Sequence, residues 1–211
     1  MTHEDRTGTG HGGRAAGAAE DAGGHQGAAP RDPAGRPPHL VVRDAEPADE
    51  PAVLALFEAC GDWFTAATGL PSGPGDLQSL FYALPEGADP DGKRILLAEA
   101  GGAVVGVVDV VLHHPRPDTA AVGLFLVAPE ARRTGLGTRL AGLLLERAAD
   151  EGIRRVTATV PVGQPAGEAF VTALGGTLSA AAPVPAEVGN RRAGPRETGA
   201  VHRVEVRVAG R

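Results

Sequence analysis

The sequence predicts an α/β domain: a mixed, largely antiparallel central sheet flanked by helices on both faces. Three observations carry this. Gly101-Gly102 separates two apolar runs, KRILLAEA and AVVGVVDVVL, which is a strong hairpin signal. A third apolar run, TAAVGLFLV, leads through a turn and an amphipathic helix to the alternating strand IRRVTATV. Such a strand–helix–strand unit needs two parallel strands in one sheet, and its helix must cover a face of that sheet.

The elements follow in order. Residues 1–38 hold no Leu, Ile, Val or Phe and are rich in Gly, Ala, Arg, Asp and Pro. Such a segment cannot bury enough apolar surface to offset its ordering entropy, so it reads as a disordered tail ahead of one domain, residues 39–211. His3, His11 and His25 are too widely spaced in it to read as metal ligands. From Leu40 a short strand leads to a helix, with Pro47 and Asp49 at its start and Val53, Leu56, Phe57 and Cys60 at helical spacing. GDWFTAATGLPSGPG reads as a loop by its Gly, Pro and Ser content, and DLQSLFYAL as a second short helix.

After the hairpin and the third strand comes a helix over residues 135–151, with Leu136, Leu140, Leu143, Leu144 and Ala148 on one stripe and Gly152 as its stop. PAGEAFVTAL is a helix ending at Gly175-Gly176, and two last strands near 177–182 and 200–208 flank a polar Gly/Pro/Arg loop. The expected order is β-α-α-β-β-β-α-β-α-β-β.

Composition excludes several classes. The net charge is −6 with no basic block, which argues against nucleic acid. No apolar run reaches the roughly 18 residues of a membrane span. The acidic N-terminus lacks the apolar stretch of a secretion signal. Cys60 is the single cysteine, so no internal disulfide forms, and a reducing cytoplasm is the expected location.

The chemistry concentrates in VGLFLVAPEARRTGLGTRL, residues 122–140. A buried strand ends near Val127 and a helix begins near Gly135. The first N–H groups of a helix lack internal partners and carry the positive end of its dipole. A phosphate suits those donors. Gly135 and Gly137 leave no side chain over the amides, and Arg132 and Arg133 add charge that can bind two phosphate oxygens at once. The segment therefore reads as a pyrophosphate cradle. A Rossmann site would need a further Gly where Leu140 stands, and a P-loop would need Gly-Lys-Ser/Thr.

Phe125-x-Val127-x-Pro129-x-x-Arg132-x-x-Gly135-x-Gly137-x-x-Leu140 resembles motif A of the GNAT (Gcn5-related N-acetyltransferase) superfamily. QPAGEAFVTALGG resembles its motif B, with Gln164 for the usual Asn, Gly167 for Ala, Phe170 kept and Val171 for Tyr. The order of elements over residues 40–208 agrees. The resemblance implies the acyl-CoA N-acyltransferase fold and an enzyme, a GNAT-type N-acetyltransferase moving an acetyl or acyl group from acetyl-CoA to an amine by direct attack, with no metal. A catalytically weak or non-catalytic acyl-CoA sensor is the alternative.

It also implies roles. Amides of Arg133, Thr134, Gly135, Leu136, Gly137 and Thr138 would hold the pyrophosphate, with Arg132 adding charge. The strand ending at Leu126 and Val127 would splay from the strand after Ile153 and pair with the pantetheine arm, helped by Gln164. The Val127 amide would polarise the acyl carbonyl. The partner would be a small-molecule or peptide amine, and the last strands of this fold often pair between subunits, so a homodimer is expected.

The acid and base are less defined. Val171 replaces the family's leaving-group acid, and the only tyrosine, Tyr82, lies in another element. Asp109 interrupts VVGVVDVVL and is the first candidate base; the alternative is a solvated edge carboxylate. Glu99, His113 and His114 lie near strand ends. Trp63 and Phe64 are read as lining the acceptor pocket, against ordinary core packing, with Asp62 and Glu58 near enough to attract a cationic amine.

Overall fold

Gly101 and Gly102 both take left-handed φ values, 62° and 83°, and fold strand β2 (Lys93–Ala100) back onto β3 (Ala103–Val111) as the paired glycines predict. The computed structural model describes residues 39–183 and 200–209. The predicted tail, its three histidines and the polar loop between the last strands lie outside the described residues. Before the hairpin come β1 (Leu40–Asp44), α1 (Glu50–Ala59), α2 (Gly61–Thr68) and α3 (Pro74–Tyr82). After it come β4 (Thr119–Val127), α4 (Leu136–Asp150), β5 (Arg155–Pro161), α5 (Pro165–Ala173), β6 (Thr177–Leu178), β7 (Ala182–Pro183) and β8 (Ala200–Arg207).

The sheet runs β1-β2-β3-β4-β5-β8-β6, and β7 also pairs with β8. Every pairing is antiparallel except β4–β5. The mixed, mostly antiparallel sheet is thus the expected one. Two elements differ from expectation. The first is α2, in the segment read as a loop. Its glycines punctuate a helix rather than dissolve it: the amides of Trp63 and Phe64 bond the Cys60 carbonyl at 3.0 and 3.3 Å, and Gly69, at φ 76°, ends it. The second is the next-to-last strand, which is two two-residue pieces, β6 and β7.

Strand alternation sorts the side chains into two faces. One carries Arg43, Glu99, Val104 and, by register, Leu97, Val107 and Leu126. Helix α1 covers it, with Ala52, Leu56 and Ala59 facing Val104 and Glu99 across a cleft. Arg43 ties helix to sheet, bonding Asp49 at 2.7 Å and Glu99 at 2.6 Å. The other face receives α4 and α5. Gly106 sits under Leu140, where an added Cβ would lie 3.6 Å from Leu140 Cδ2, and Val171 packs with Val160, Val204 and Val206. The α4 stripe is buried at Leu136, Leu140, Ala141 and Ala148, but Leu143 is exposed, lying beyond the sheet's reach.

Helices α1–α3 stop at β4. Thus the face of β5 and β8 that carries Thr157, Thr159, Arg203 and Glu205 is open to solvent, while the opposite face is covered by α5.

Candidate active site

The parallel pairing of β4 with β5 spans only three positions, Thr119↔Arg155 to Ala121↔Thr157. Both strands continue: β4 to Val127 and β5 to Pro161. The cause is local. Asp109 pairs with Leu124 and Val110 with Val122, which leaves Gly123 as an extra, bulged residue two positions past the last parallel pair. A bulge bends its strand. Beyond it the two strands diverge and leave a wedge-shaped gap. The Thr157 hydroxyl, 3.4 Å from the Ala120 carbonyl, pins the apex.

The polarity of the gap's β4 wall follows from register. The Ala128 amide bonds the Val105 carbonyl at 2.9 Å, so Val127↔Gly106 is a non-hydrogen-bonded pair. The backbone groups of Val127, and by alternation those of Phe125, therefore turn away from β3 and toward the gap. The Val127 carbonyl is taken up by Arg132 Nε at 2.9 Å. Its N–H is directed into the gap. Phe170 of α5 stacks on Phe125 with ring centroids 5.2 Å apart and closes the α5 side.

At the wide end of the gap lies the start of α4. Gly135 caps the helix with φ 83°, a conformation glycine takes without strain. The amides of Arg133, Gly137 and Thr138 have no hydrogen-bond partner among the described residues, and the Leu136 amide has only Thr134 Oγ1, at a long 3.4 Å. The Thr134 hydroxyl itself donates to the Ala131 carbonyl at 2.8 Å. Gly137 faces Phe170 and Val127, 3.5 and 3.9 Å from the place of an added Cβ, so the helix end abuts the strand end. Unpaired donors, the positive dipole end and bare backbone thus coincide at the mouth of the gap.

The other predicted site residues distribute unevenly. The side chains of Leu126 and Leu136 are buried, 2% and 7% exposed, so each offers only its backbone. Arg132 is held by the protein: besides Val127 it bonds Asp62 Oδ2 at 2.8 Å. That engages Asp62, the predicted attractor of cationic amines, and the guanidinium holds its carboxyl below the usual range. Gln164 is the residue before α5, but its side chain makes no capping bond and stays available beside β5. Phe64 is core, 4% exposed and 4.8 Å from Phe57. Trp63 stands edge-on to Phe64, half-buried at the rim.

Asp109 is mostly buried, and its Oδ1 accepts from Lys93 Nζ at 2.8 Å. Burial pushes its carboxyl up against the opposing pull of Lys93. Its Oδ2 lies 3.0 Å from where a Cβ on Gly123 would be, so the carboxylate reaches over to β4. The remaining base candidates are elsewhere. Glu99 is bound to Arg43 on the far side of β3, and His113 and His114 are at the end of β3 opposite Val127, with His113 Nδ1 2.6 Å from the Pro117 carbonyl. Val171 is packed in the α5 core and Tyr82 is exposed at the end of α3. Sequence reasoning missed the Gly123 bulge and the Asp62–Arg132 link. Gly123 inside an apolar strand is a readable sign of the first.

No group of three or more His, Cys, Asp or Glu suited to a metal occurs among the described residues. No helix among them is long and apolar enough to cross a membrane.

A mixed, mostly antiparallel sheet with a wedge between its two parallel strands, opening onto a helix start, is the architecture of the acyl-CoA N-acyltransferase fold. Residues 57–175 match the model of the acetyltransferase (GNAT) family, and the chain belongs to that family. It is similar to L-2,4-diaminobutyric acid acetyltransferase of Nocardia farcinica, 35% identical over 79 residues, which are 37% of this chain and 41% of that protein. The match therefore spans less than half of that relative. An acetyltransferase structure from Thermus thermophilus superposes with a TM-score of 0.58 at 22% identity, covering 80% of this chain and 96% of the other. The ribosomal-protein-S18-alanine N-acetyltransferase of Escherichia coli gives 0.58 at 14%, covering 82% and 96%. These two share the fold.

Proposed function

We propose that the chain transfers an acetyl or other acyl group from acyl-CoA, with acetyl-CoA the first donor to test, to a primary amine by direct attack. The observation that carries this is the gap between β4 and β5, which runs from its apex at Ala121 and Thr157 to its mouth, where Val127 meets the unpartnered amides of α4. Its dimensions are those of an extended chain with a phosphate at one end: β4 continues six residues past the last parallel pair, about 20 Å at 3.3 Å each.

In this reading the amides of Arg133, Gly137 and Thr138, with Leu136, Thr134 and Gly135 beside them, hold the pyrophosphate. Arg132 acts by fixing Val127, and Gln164 borders the pantetheine arm. The Val127 N–H, beside the helix start, bonds the pantetheine arm, and the thioester carbonyl lies deeper, toward the bulge, accepting from the Phe125 N–H, a bond that strengthens as negative charge builds on that oxygen. The amine nitrogen bonds the acyl carbon, the C–S bond breaks, and the thiolate leaves and takes a proton from water, since neither Val171 nor Tyr82 can supply one. Asp109 receives the amine's proton through intervening water, for it lies on β3 opposite Leu124, one strand away from the gap. Its free Oδ2 and raised affinity for protons suit that task. Trp63 borders the acceptor's approach. The name of the Nocardia relative makes L-2,4-diaminobutyrate the first amine to test.

Acetyl-CoA should raise the melting temperature of the wild type and leave Gly137→Glu unmoved. Thiol release on adding an amine panel then tests turnover. Binding with no thiol release from any amine would instead favour a sensor, a reading that the missing side-chain acid at the gap supports. No stabilisation by acetyl-CoA at all would end both.

A further inference from the structure

We propose that Arg203 binds a carboxylate on the acceptor, so that the preferred substrate is an amino acid or other amine bearing an acid group near the reacting nitrogen. The inference rests on the acyl-transfer reading above and narrows its substrate class.

The register places Arg203. It pairs with Thr159, which lies two residues past the last β4–β5 pair, on the free limb of β5. Paired residues on neighbouring antiparallel strands project to the same face. That face is the one left bare where α1–α3 end. Thr159 and Arg203 are both exposed, and neither side chain has a hydrogen-bond or ion-pair partner among the described residues. The backbone of Arg203 is fixed, its N–H bonding Ser179 Oγ at 3.0 Å and its carbonyl accepting from Ser179 N–H at 2.9 Å. The guanidinium is thus an unneutralised cation on a fixed backbone, one strand away from the gap.

The neighbouring charges sharpen this. Arg132, on the other wall, is neutralised by Asp62 at 2.8 Å. Arg155 has Glu205 at 3.7 Å and Asp118 at 4.0 Å. Glu205 pairs with Thr157 at the apex, where its charge is shared with Arg155. Of these charges Arg203 stands opposite the open limb at Thr159, and it has no carboxylate partner among the described residues. A bare cationic amine gains nothing there. A carboxylate gains a planar, bidentate partner, and the Thr159 hydroxyl is a second donor on the same face.

The test uses the full chain, acetyl-CoA and amines in matched pairs that differ by a carboxylate: L-ornithine with putrescine, L-lysine with cadaverine, L-alanine with ethylamine. The kcat/KM ratio of acid-bearing to acid-free partner should exceed tenfold in the wild type for at least one pair. It should fall at least tenfold in Arg203→Gln, invert in Arg203→Glu, and recover in part in Arg203→Lys, with circular dichroism and melting temperature confirming that each variant folds. A wild-type ratio at or below one for every pair, or a ratio that Arg203→Gln leaves alone, overturns the proposal while acyl transfer stands. Should no amine release thiol, the transfer reading falls. Equilibrium binding to the acetyl-CoA-loaded protein then decides: stabilisation by an amino acid in the wild type and not in Arg203→Gln upholds the site, and equal or no stabilisation overturns it.

Discussion

Arg132 and Asp62 meet at 2.8 Å and join the turn before α4 to helix α2. The same guanidinium bonds the Val127 carbonyl at 2.9 Å, and Cys60 Sγ approaches that carbonyl at 3.6 Å. One side chain therefore ties together the end of β4, the turn before α4 and helix α2. Removing Asp62 leaves Arg132 held only through its Nε bond to Val127. The pair is partly exposed, 33% and 65%, so its contribution to stability is below about 1 kcal/mol. Asp62→Asn should shift the melting temperature little while lowering kcat/KM for acetyl-CoA about fivefold, with Asp62→Glu recovering part of it. A fall in melting temperature with unchanged kinetics would make the link purely structural.

Gly135 has φ 83° and open space around its missing Cβ. Gly135→Ala thus meets no clash, only the left-handed backbone, at a cost of about 1–2 kcal/mol. If the chain relieves that strain by shifting the turn, the amides of α4 lose their aim. The expected result is a modest loss of stability with a tenfold or greater loss of acetyl-CoA affinity by calorimetry. Equal affinity in the variant would mean that the turn's shape does not matter to the ligand.

Much of this was legible in the sequence because it rests on local chemistry. Gly101-Gly102 forces one hairpin, Pro129 and Gly135 bracket one turn, and the stripe of α4 follows from leucine spacing. The rest depends on which residues meet. Asp62 lies 70 positions from Arg132, and no pattern along the chain links them. Phe64 and Trp63 are adjacent and alike in type, yet one is core and the other rim, because α2, missed for its glycines, turns them differently. The gap itself was anticipated only through the family resemblance. Its physical origin is a bulge at Gly123: a glycine inside an apolar strand hints at it, but its place is fixed by the pairing register of two strands, Asp109 with Leu124 and Val110 with Val122.

Arg43 holds the Asp49 carboxyl down, first through their side-chain hydrogen bonds, to about 2. The folded value lies below the unfolded one of 3.8, so the folded state binds its proton less readily. The stabilising effect is therefore complete above pH 3.8 and is lost as pH falls toward 2. Asp49→Asn should flatten the acid limb of the stability curve over that window, read from denaturant midpoints at successive pH values, and leave the curve's shape near neutrality unaltered. An acid limb as steep in the variant as in the wild type would remove Asp49 from the account.

Asp109 and Gly123 make the last prediction together. Burial raises the carboxyl of Asp109, so in the folded chain it gives up its proton at a higher pH than a free aspartate, near 4. A base must be deprotonated to act. The rate should therefore rise with pH through a midpoint above that of an ordinary carboxylate, and Asp109→Asn should lower the rate most where the amine is still charged. The variant also leaves Lys93 without its carboxylate in a site only 9% exposed, which costs about 3 kcal/mol, so rates are read well below the melting temperature. Gly123→Ala separates the two effects. Its Cβ would come within 3.0 Å of Asp109 Oδ2, and the carboxylate must move by a few tenths of an ångström while Lys93 can follow. Stability should change by less than about 1 kcal/mol, within the range of an exposed substitution. The midpoint of the pH–rate profile should shift, because the displaced carboxylate changes its burial and its distance from Lys93. A profile that Gly123→Ala leaves in place, alongside an unaltered profile in Asp109→Asn, would assign the proton to solvent alone and leave Asp109 as the partner that keeps Lys93 buried.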